Sequence, residues 1–212
     1  METPSTYPVA FTVDYPERKL NRLSTFFRIF AAIPILILAV LLQANESPES
    51  WIYFGLDFAF VTTGAGVIVY PLVLMIVVRK KYPRWWYEWN IELLRFTNRI
   101  GVYLALMDDR YPSTDERQAV HLDFPYPDAE ELERGMPLVK WLLAFPHYIA
   151  LAFLFVGAVL AVIGAWFAIL FTGRYPQTLF RYVEGVFRWN NRVLGYAYTL
   201  VTDEYPPFKL SA

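Results

Sequence analysis

Three long apolar runs most constrain what this chain can fold into. They extend from Phe26 to Leu42, from Trp51 to Val78 and from Trp141 to Thr172. The second run is long enough for a helix to span the hydrocarbon core of a bilayer, which is about 30 Å thick. Charged residues make up only 18% of the chain, whereas an ordinary soluble domain has about 25%. The sequence therefore predicts a mainly α-helical integral membrane protein.

The charges around the first two runs predict a topology. Basic residues precede the first run, and Arg79, Lys80 and Lys81 follow the second. The loop between the runs, QANESPES, contains Glu46 and Glu49 but no Lys or Arg. Because Lys and Arg concentrate on the cytoplasmic side, we expect a membrane hairpin over residues 24–78 with a cytoplasmic N-terminus. The first residues lack a basic region followed by an apolar run, so no cleavable signal peptide is predicted.

Ordered matches along the chain indicate an internal repeat. The segment VAFTVDYP, Val9 to Pro16, matches VHLDFPYP, Val120 to Pro127, and both alternate apolar residues as a half-buried strand does. We therefore predict two units, 1–112 and 113–212. Each contains a short strand that is a candidate for pairing on the cytoplasmic face, a membrane segment, and an amphipathic helix, at 84–107 in the first unit and 177–201 in the second.

The membrane segment of the second unit has two alternatives. The offset between matching residues falls from 112 before this segment to 93 after it, so the second unit is shorter by 19 residues (112 minus 93). The segment is either a shallow hairpin over 138–172 that turns near Gly157, or one long helix that crosses once. We favour the hairpin, because it keeps both strands and both amphipathic helices on one side of the membrane.

The two amphipathic helices carry the predicted contact residues. A basic and aromatic helix beside a membrane segment is expected to lie among the headgroups, where Arg meets phosphates. We expect these side chains to bind anionic lipid headgroups, or a partner membrane protein or second copy of the chain. The predicted contact residues are Arg95, Asn98 and Arg99 in the first unit and Arg188, Asn191 and Arg192 in the second.

Two polar residues within the apolar runs are candidates for an intramembrane site. Asp57 lies six residues into the second run, and His147 lies near the start of the third. An ionisable residue inside a membrane segment is a functional hypothesis by default. Both residues also lie near the ends of their runs, where an interfacial or hydrogen-bonding role is the more common one.

The sequence contains none of the common catalytic motifs. There is no HExxH, no GxSxG, no phosphate-binding Gly-rich loop, and no cysteine. We therefore predict no catalytic residue, no metal and no cofactor. The net charge of −1 gives no general basic field, so nucleic acid is not an expected partner.

Four segments carry a resemblance to a known family. They are VHLDFPYP, LVKWLLAFPHYI, FAILFTGRYPQTLFRYVEGVFRW and LVTDEYPPF. Together they resemble the bacterial DUF4389 family of integral membrane proteins, which has no established activity. The resemblance implies a protein of the bacterial inner membrane and supplies no catalytic residues.

Three functions are compatible with this sequence. The preferred hypothesis is a non-enzymatic membrane module that binds lipid headgroups or partner membrane proteins as a scaffold or accessory subunit. The first alternative is a small oligomeric transporter or channel built around Asp57 or His147. The second alternative is a lipid-modifying enzyme.

Overall fold

The computed structural model describes residues 7–43 and 69–211. This part of the chain is mainly helical with one small sheet, as the sequence predicts. In chain order its elements are β1 (Ala10–Val13), α1 (Arg22–Phe26), α2 (Arg28–Gln43), α3 (Val69–Arg79), α4 (Arg84–Leu104), β2 (Val120–Asp123), α5 (Met136–Leu143), α6 (Phe145–Thr172) and α7 (Gln177–Ala197). The tip of the predicted 24–78 hairpin and Asp57 lie outside the described residues.

The two predicted strands pair with each other. Strands β1 and β2 are antiparallel, with Phe11 opposite Leu122 and Val13 opposite Val120. All four of these side chains are buried, whereas the residues between them are exposed. This alternation is the reason the segments form strands, since only one face of the sheet has a core to pack against.

The helices α4 and α7 begin where the Tyr-Pro pairs predict. Pro83 and Pro176 precede them in extended conformation, which positions the chain for the first helical turn. The helices end at Leu104 and Ala197, a few residues before their predicted ends. The chain turns there, with Leu106 at φ 64° and Leu200 at φ 55° in the left-handed region. The amphipathic pattern continues past each helix because these turns also bury their apolar side chains.

The long helix α6 decides between the two alternatives for the second unit. It runs without interruption through Gly157 and ends at Thr172, and the next residue, Gly173, forms a left-handed C-cap with φ 73°. The predicted hairpin with a turn near Gly157 is therefore wrong. Gly157 instead makes room for Tyr182 of α7, whose hydroxyl donates to the carbonyl of Leu154 at 3.1 Å. The small residue serves close packing of two helices, not a change of chain direction.

Helix α7 lies between α6 and strand β1. On one side, the indole N–H of Trp189 donates to Nδ1 of His147 on α6 at 3.0 Å. On the other side, Nε of Arg188 donates to the carbonyl of Phe11 on β1 at 2.9 Å. Helices α6 and α7, from the second half of the chain, therefore stack on a strand from the first half, in the order long apolar helix, amphipathic helix and strand.

Helix α4 has the same relation to α2 and β2. Phe96 and Ile100 pack against Ala32 of α2. Nε of Arg95 donates to the carbonyl of Leu122 on β2 at 3.0 Å. Helices α3 and α5 contact each other, as do α1 and α6. We call α1, α2, α3, α5 and α6 the apolar layer, and the side of the molecule that carries the sheet the polar side.

Candidate membrane-binding surface

The apolar layer exposes most of the large hydrophobic side chains that are exposed in the described part of the chain. In α6 the buried residues recur every three to seven positions and form one stripe that faces α7. The rest of the helix is open, with Phe153, Leu160 and Phe171 exposed by 75%, 64% and 78%. A helix that is apolar all round normally lies in a protein core or in lipid. Within residues 7–43 and 69–211, protein buries α6 along one stripe and leaves the rest of its apolar surface open.

Charged side chains of the polar side contrast with this layer. Asp123 is 80% exposed and pairs with Arg95 at 3.2 Å. His121 and Asp14 face each other across the sheet, with Nε2 of the imidazole 3.0 Å from the carboxylate. Glu92 extends the group from helix α4 by pairing with Arg95 at 2.6 Å. The molecule thus has one apolar side and one charged side.

Basic residues lie at both ends of the apolar layer. At the C-terminal end of α6, Arg22 donates to the carbonyl of Phe171 at 3.0 Å, and the Lys19 side chain lies beside Gly173. Exposed Arg174 adds a third charge there. At the opposite end, α3 ends at Arg79 beside α5. Basic side chains next to an apolar surface are typical of proteins that bind anionic membranes. Exposed tryptophans, which favour the headgroup region, are Trp85, Trp89 and Trp141.

One stretch of the described residues is long and apolar enough to cross a membrane. It extends from Met136 to Thr172 and comprises α5 and α6. Helix α2 contributes a shorter apolar segment, Arg28–Ala39. These findings agree with membrane association by length and composition alone.

The predicted contact residues Asn98 and Asn191 lie in the interior. They are exposed by 1% and 0% and bind each other across the contact between α4 and α7. Their burial contradicts the predicted contact with headgroups. The polar stripe of each helix faces the other helix and the sheet, because these polar groups satisfy one another inside the molecule.

Three of the four predicted contact arginines are also buried. Arg99 donates to the carbonyls of Ser113 and Thr114, and Arg192 donates to those of Lys209 and Ser211. Each guanidinium thus holds the segment that follows a Tyr-Pro pair against its own helix. Burial lowers the pKa of both arginines from its ordinary value, yet arginine stays protonated at physiological pH. A headgroup cannot reach these charges in this conformation.

Arg188 and Arg95 differ in their access to solvent. Arg188 is buried and donates to Phe11 and Leu210 carbonyls and to the Glu184 carboxylate. The side chain of Arg95 keeps 32% of its surface exposed. Of the six predicted contact residues, Arg95 is therefore the one with an accessible side chain, and it lies on the polar side.

Comparison with known protein families covers the C-terminal third of the chain. Residues 136–209 match the model of a domain of unknown function, DUF4389. We call this stretch, which covers about a third of the chain, the DUF4389 segment. The resemblance predicted from sequence is thus confirmed for α5, α6, α7 and the turn that follows. No curated protein and no solved structure matches the chain.

The predicted site residue His147 lies inside the DUF4389 segment. It is fully buried, stacks on Phe208 with ring centroids 4.0 Å apart, and accepts the hydrogen bond of Trp189. Among the described residues its Nε2 has no hydrogen-bond partner. The imidazole therefore belongs to an aromatic cluster between α6, α7 and the C-terminal segment.

Two buried basic side chains were not among the predicted site residues. Lys140 of the DUF4389 segment pairs with Asp203 and donates to the Thr202 carbonyl, both at 2.7 Å. In the N-terminal half of the chain, Arg28 donates to the Asp108 carbonyl at 2.5 Å and lies 4.1 Å from the ring centroid of Tyr103. The match between Arg28 and Lys140 at an offset of 112 in the sequence is the signal that could have found them. Within the described residues, no group of three or more His, Cys, Asp or Glu could hold a metal ion.

Proposed function

We propose that this protein is a non-enzymatic membrane module of the bacterial inner membrane that binds anionic lipid through its apolar layer. The observation that carries the proposal is the exposure of α6. This helix is apolar on every face, yet the described part of the chain buries it along a single stripe. Leaving such a surface in water would cost about 25 cal/mol for each Å² of apolar area, so a lipid environment is its natural complement.

The same proposal includes a duplicated unit with its N-terminus in the cytoplasm. Matching residues of the two units make matching contacts, which supports the duplication. The Tyr15 hydroxyl donates to the Tyr175 carbonyl at 2.5 Å, and the Tyr126 hydroxyl donates to the Tyr82 carbonyl at 2.7 Å. The four residues correspond at offsets of 111 and 93, and the hydrogen bonds run from each unit to the other. A chain of two unrelated halves has no reason to exchange contacts in this way.

The lipid-binding charges differ from those that the sequence suggests. Arg99, Arg188 and Arg192 are occupied inside the molecule. The exposed basic residues beside the apolar layer take their place in the proposal. They are Lys19, Arg22, Arg79, Lys81, Arg84 and Arg174.

A binding measurement on two matched variants tests this assignment. Lys19→Gln with Arg174→Gln removes two charges at the end of α6, and Arg110→Gln with Arg117→Gln removes two charges near the sheet. Arg110 lines a cleft there with Asp14 and Ala119. We expect the first pair to weaken binding to phosphatidylglycerol vesicles about thirtyfold, because each of the two basic residues near an anionic surface contributes about 1 kcal/mol. The second pair should change it little. If both pairs weakened binding equally, the basic residues beside the apolar layer would not be the preferred contacts for anionic lipid.

A fractionation experiment tests the membrane location itself. The protein should stay in the membrane pellet after washing with alkaline carbonate, since apolar burial does not depend on ionic strength or pH. Recovery in the soluble fraction would refute the proposed function. The transporter and lipid-modifying alternatives stay predictions, and nothing in the described residues favours either.

A further inference from the structure

We infer that α6 lies parallel to the membrane plane within one anionic leaflet and does not cross the bilayer. This inference rests on the proposed function, because it assigns an orientation to the membrane-bound protein. In this orientation the apolar layer faces the acyl chains and the polar side faces water.

The first argument is that α7 accompanies α6 along its length. Near the C-terminal end of α6, Gly164 faces Leu179 of α7. In the middle, the Tyr182 hydroxyl reaches the Leu154 carbonyl. At the N-terminal end, Trp189 reaches His147. Whatever packs behind α7 therefore lies at the same level as α6, not above or below it.

The second argument concerns what packs behind α7. The central residues Glu184 and Arg188 bind strand β1, through the N–H of Val13 at 3.2 Å and the carbonyl of Phe11 at 2.9 Å. Because Tyr182 contacts Leu154 and Trp189 contacts His147, the sheet is level with the N-terminal half of α6. Around it lie exposed charged side chains, among them Asp14, Glu92 and Asp123.

These charges discriminate between the two orientations. If α6 crossed the bilayer, the sheet and its charges would sit at the depth of the hydrocarbon core. A charged side chain there costs about 2.5–3.5 kcal/mol even on the most lenient insertion scale. If α6 lies flat, the same charges stay in water and the apolar layer alone meets lipid. The flat orientation therefore avoids the free-energy cost of placing each of several carboxylates in the hydrocarbon core.

The third argument is that basic residues lie near both ends of α6. Lys19, Arg22 and Arg174 lie at one end, and the basic C-terminus of α3 lies at the other. A crossing helix places its two ends at opposite surfaces, of which the cytoplasmic one is enriched in Lys and Arg. A flat helix places both ends at one surface, where anionic headgroups complement both sets of charges.

A depth profile along α6 tests the inference. The chain has no cysteine, so single-cysteine variants can carry one fluorescent label each. We choose Phe145→Cys, Leu160→Cys and Phe171→Cys, all at exposed positions, and Thr12→Cys on the polar side as the control. The protein is reconstituted into vesicles of phosphatidylcholine and phosphatidylglycerol, and quenchers at several acyl-chain positions report the depth of each label.

The two orientations give different profiles. A flat helix places the three α6 labels at one depth, with Thr12→Cys unquenched. A crossing helix places Leu160→Cys deepest and the other two labels near the surfaces, and this result would overturn the inference while leaving membrane binding intact. Failure of all three α6 labels to be quenched in vesicle-bound protein would also overturn it. Protein that does not associate with the vesicles at all would refute the proposed function as well.

Accessibility at the two ends supplies an independent readout. Arg134→Cys lies at an exposed position before α5, and Thr178→Cys at an exposed position in the first turn of α7. In intact spheroplasts and in inverted membranes, a membrane-impermeant maleimide should label both variants from the same side. Labelling from opposite sides would establish a crossing helix and refute the flat orientation.

Discussion

The side-chain amides of Asn98 and Asn191 hydrogen-bond to each other in both directions. Nδ2 of Asn98 donates to Oδ1 of Asn191 at 2.9 Å, and Nδ2 of Asn191 donates to Oδ1 of Asn98 at 2.8 Å. Each amide also donates to the carbonyl four residues earlier in its own helix, that of Leu94 or Phe187. Both amides thereby have partners for their donors in a buried site, and the pair fixes the register of α4 against α7.

Replacing either asparagine should therefore destabilise the protein by more than the loss of such a small side chain suggests. Asn98→Ala removes both mutual hydrogen bonds and leaves the Asn191 amide buried with unmet hydrogen-bonding capacity, a cost of about 1–3 kcal/mol. The double variant with Asn191→Ala should cost less than the sum of the two single variants. Free energies of unfolding from denaturant titrations give this coupling energy.

The control for this cycle is Thr97→Ala combined with Asn191→Ala. Thr97 donates to the Leu93 carbonyl of its own helix, so this pair should be additive within about 0.5 kcal/mol. Additivity in the Asn98 and Asn191 cycle would show that the mutual hydrogen bonds contribute nothing.

A second prediction contrasts Arg188 with Arg95. Both donate to a strand carbonyl, but Arg188 is buried and also binds Glu184, whose side chain is only 14% exposed. Arg188→Met should lower the free energy of unfolding by about 3 kcal/mol, because it breaks a buried ion pair. Arg95→Met should cost about 1 kcal/mol or less, since solvent screens its partly exposed pairs. Equal losses would mean that burial does not set the strength of these contacts.

The elements of the fold were largely predictable from local patterns. Apolar residues at helical spacing predict α4 and α7, and the Tyr-Pro pairs mark their starts. Alternation predicts both strands, and the predicted repeat aligns Asn98 with Asn191. These signals are local, so a single chain segment is enough to reveal them.

What each polar stripe faces was not predictable in the same way. Periodicity shows that a helix has two different faces, but it does not show whether the polar face meets water, headgroups or another helix. Asn191 and Arg192 meet protein, a long-range relation that the segment itself does not encode. The turn predicted near Gly157 failed for a related reason, because a glycine in an apolar helix signals close packing as readily as a bend.

A third prediction concerns the residues that directly follow α3 and α6. Lys80 and Gly173 are equivalent at an offset of 93, and both have positive φ, 46° and 73°. Gly173→Ala should destabilise the protein by about 1 kcal/mol, because a Cβ is unfavourable in the left-handed region. Lys80→Ala should change stability by less than about 0.5 kcal/mol, since its Cβ already bears this strain. Thermal unfolding of the two variants measures the difference, and an equal loss at both positions would contradict the prediction.

A fourth prediction gives Tyr175 a role in alkaline unfolding. Burial raises the pKa of its hydroxyl well above the ordinary value of 10.0. The folded protein keeps this proton when the unfolded chain releases it, so stability is fully present below about pH 10 and falls as pH rises further. The loss from this one group should be about 1 kcal/mol at about pH 11.

Tyr175→Phe should remove that share of the loss. Among the described residues its hydroxyl has no hydrogen-bond partner, so the substitution should be neutral or slightly stabilising at neutral pH. Unfolding at about pH 8 and about pH 11 compares the variant with the wild type. An unchanged difference between the two pH values would show that Tyr175 ionises as easily in the folded protein as in the unfolded chain.

The last prediction compares His147 with the position that matches it in the proposed repeat. The matching positions of His147 and Trp189 are Ile35 and Phe96, which pack together in an apolar cluster between α2 and α4. His147→Ile alone leaves the buried indole N–H of Trp189 without its acceptor and should destabilise the protein by about 1–3 kcal/mol.

The double variant His147→Ile with Trp189→Phe should recover part of this loss, because it removes the unsatisfied donor as well. Denaturant unfolding of the wild type, both single variants and the double variant measures the recovery. A double variant less stable than His147→Ile would show that the smaller ring leaves a cavity whose cost exceeds that of the unpaired N–H. A His147→Ile variant as stable as the wild type would instead show that the His147–Trp189 hydrogen bond contributes nothing to folding.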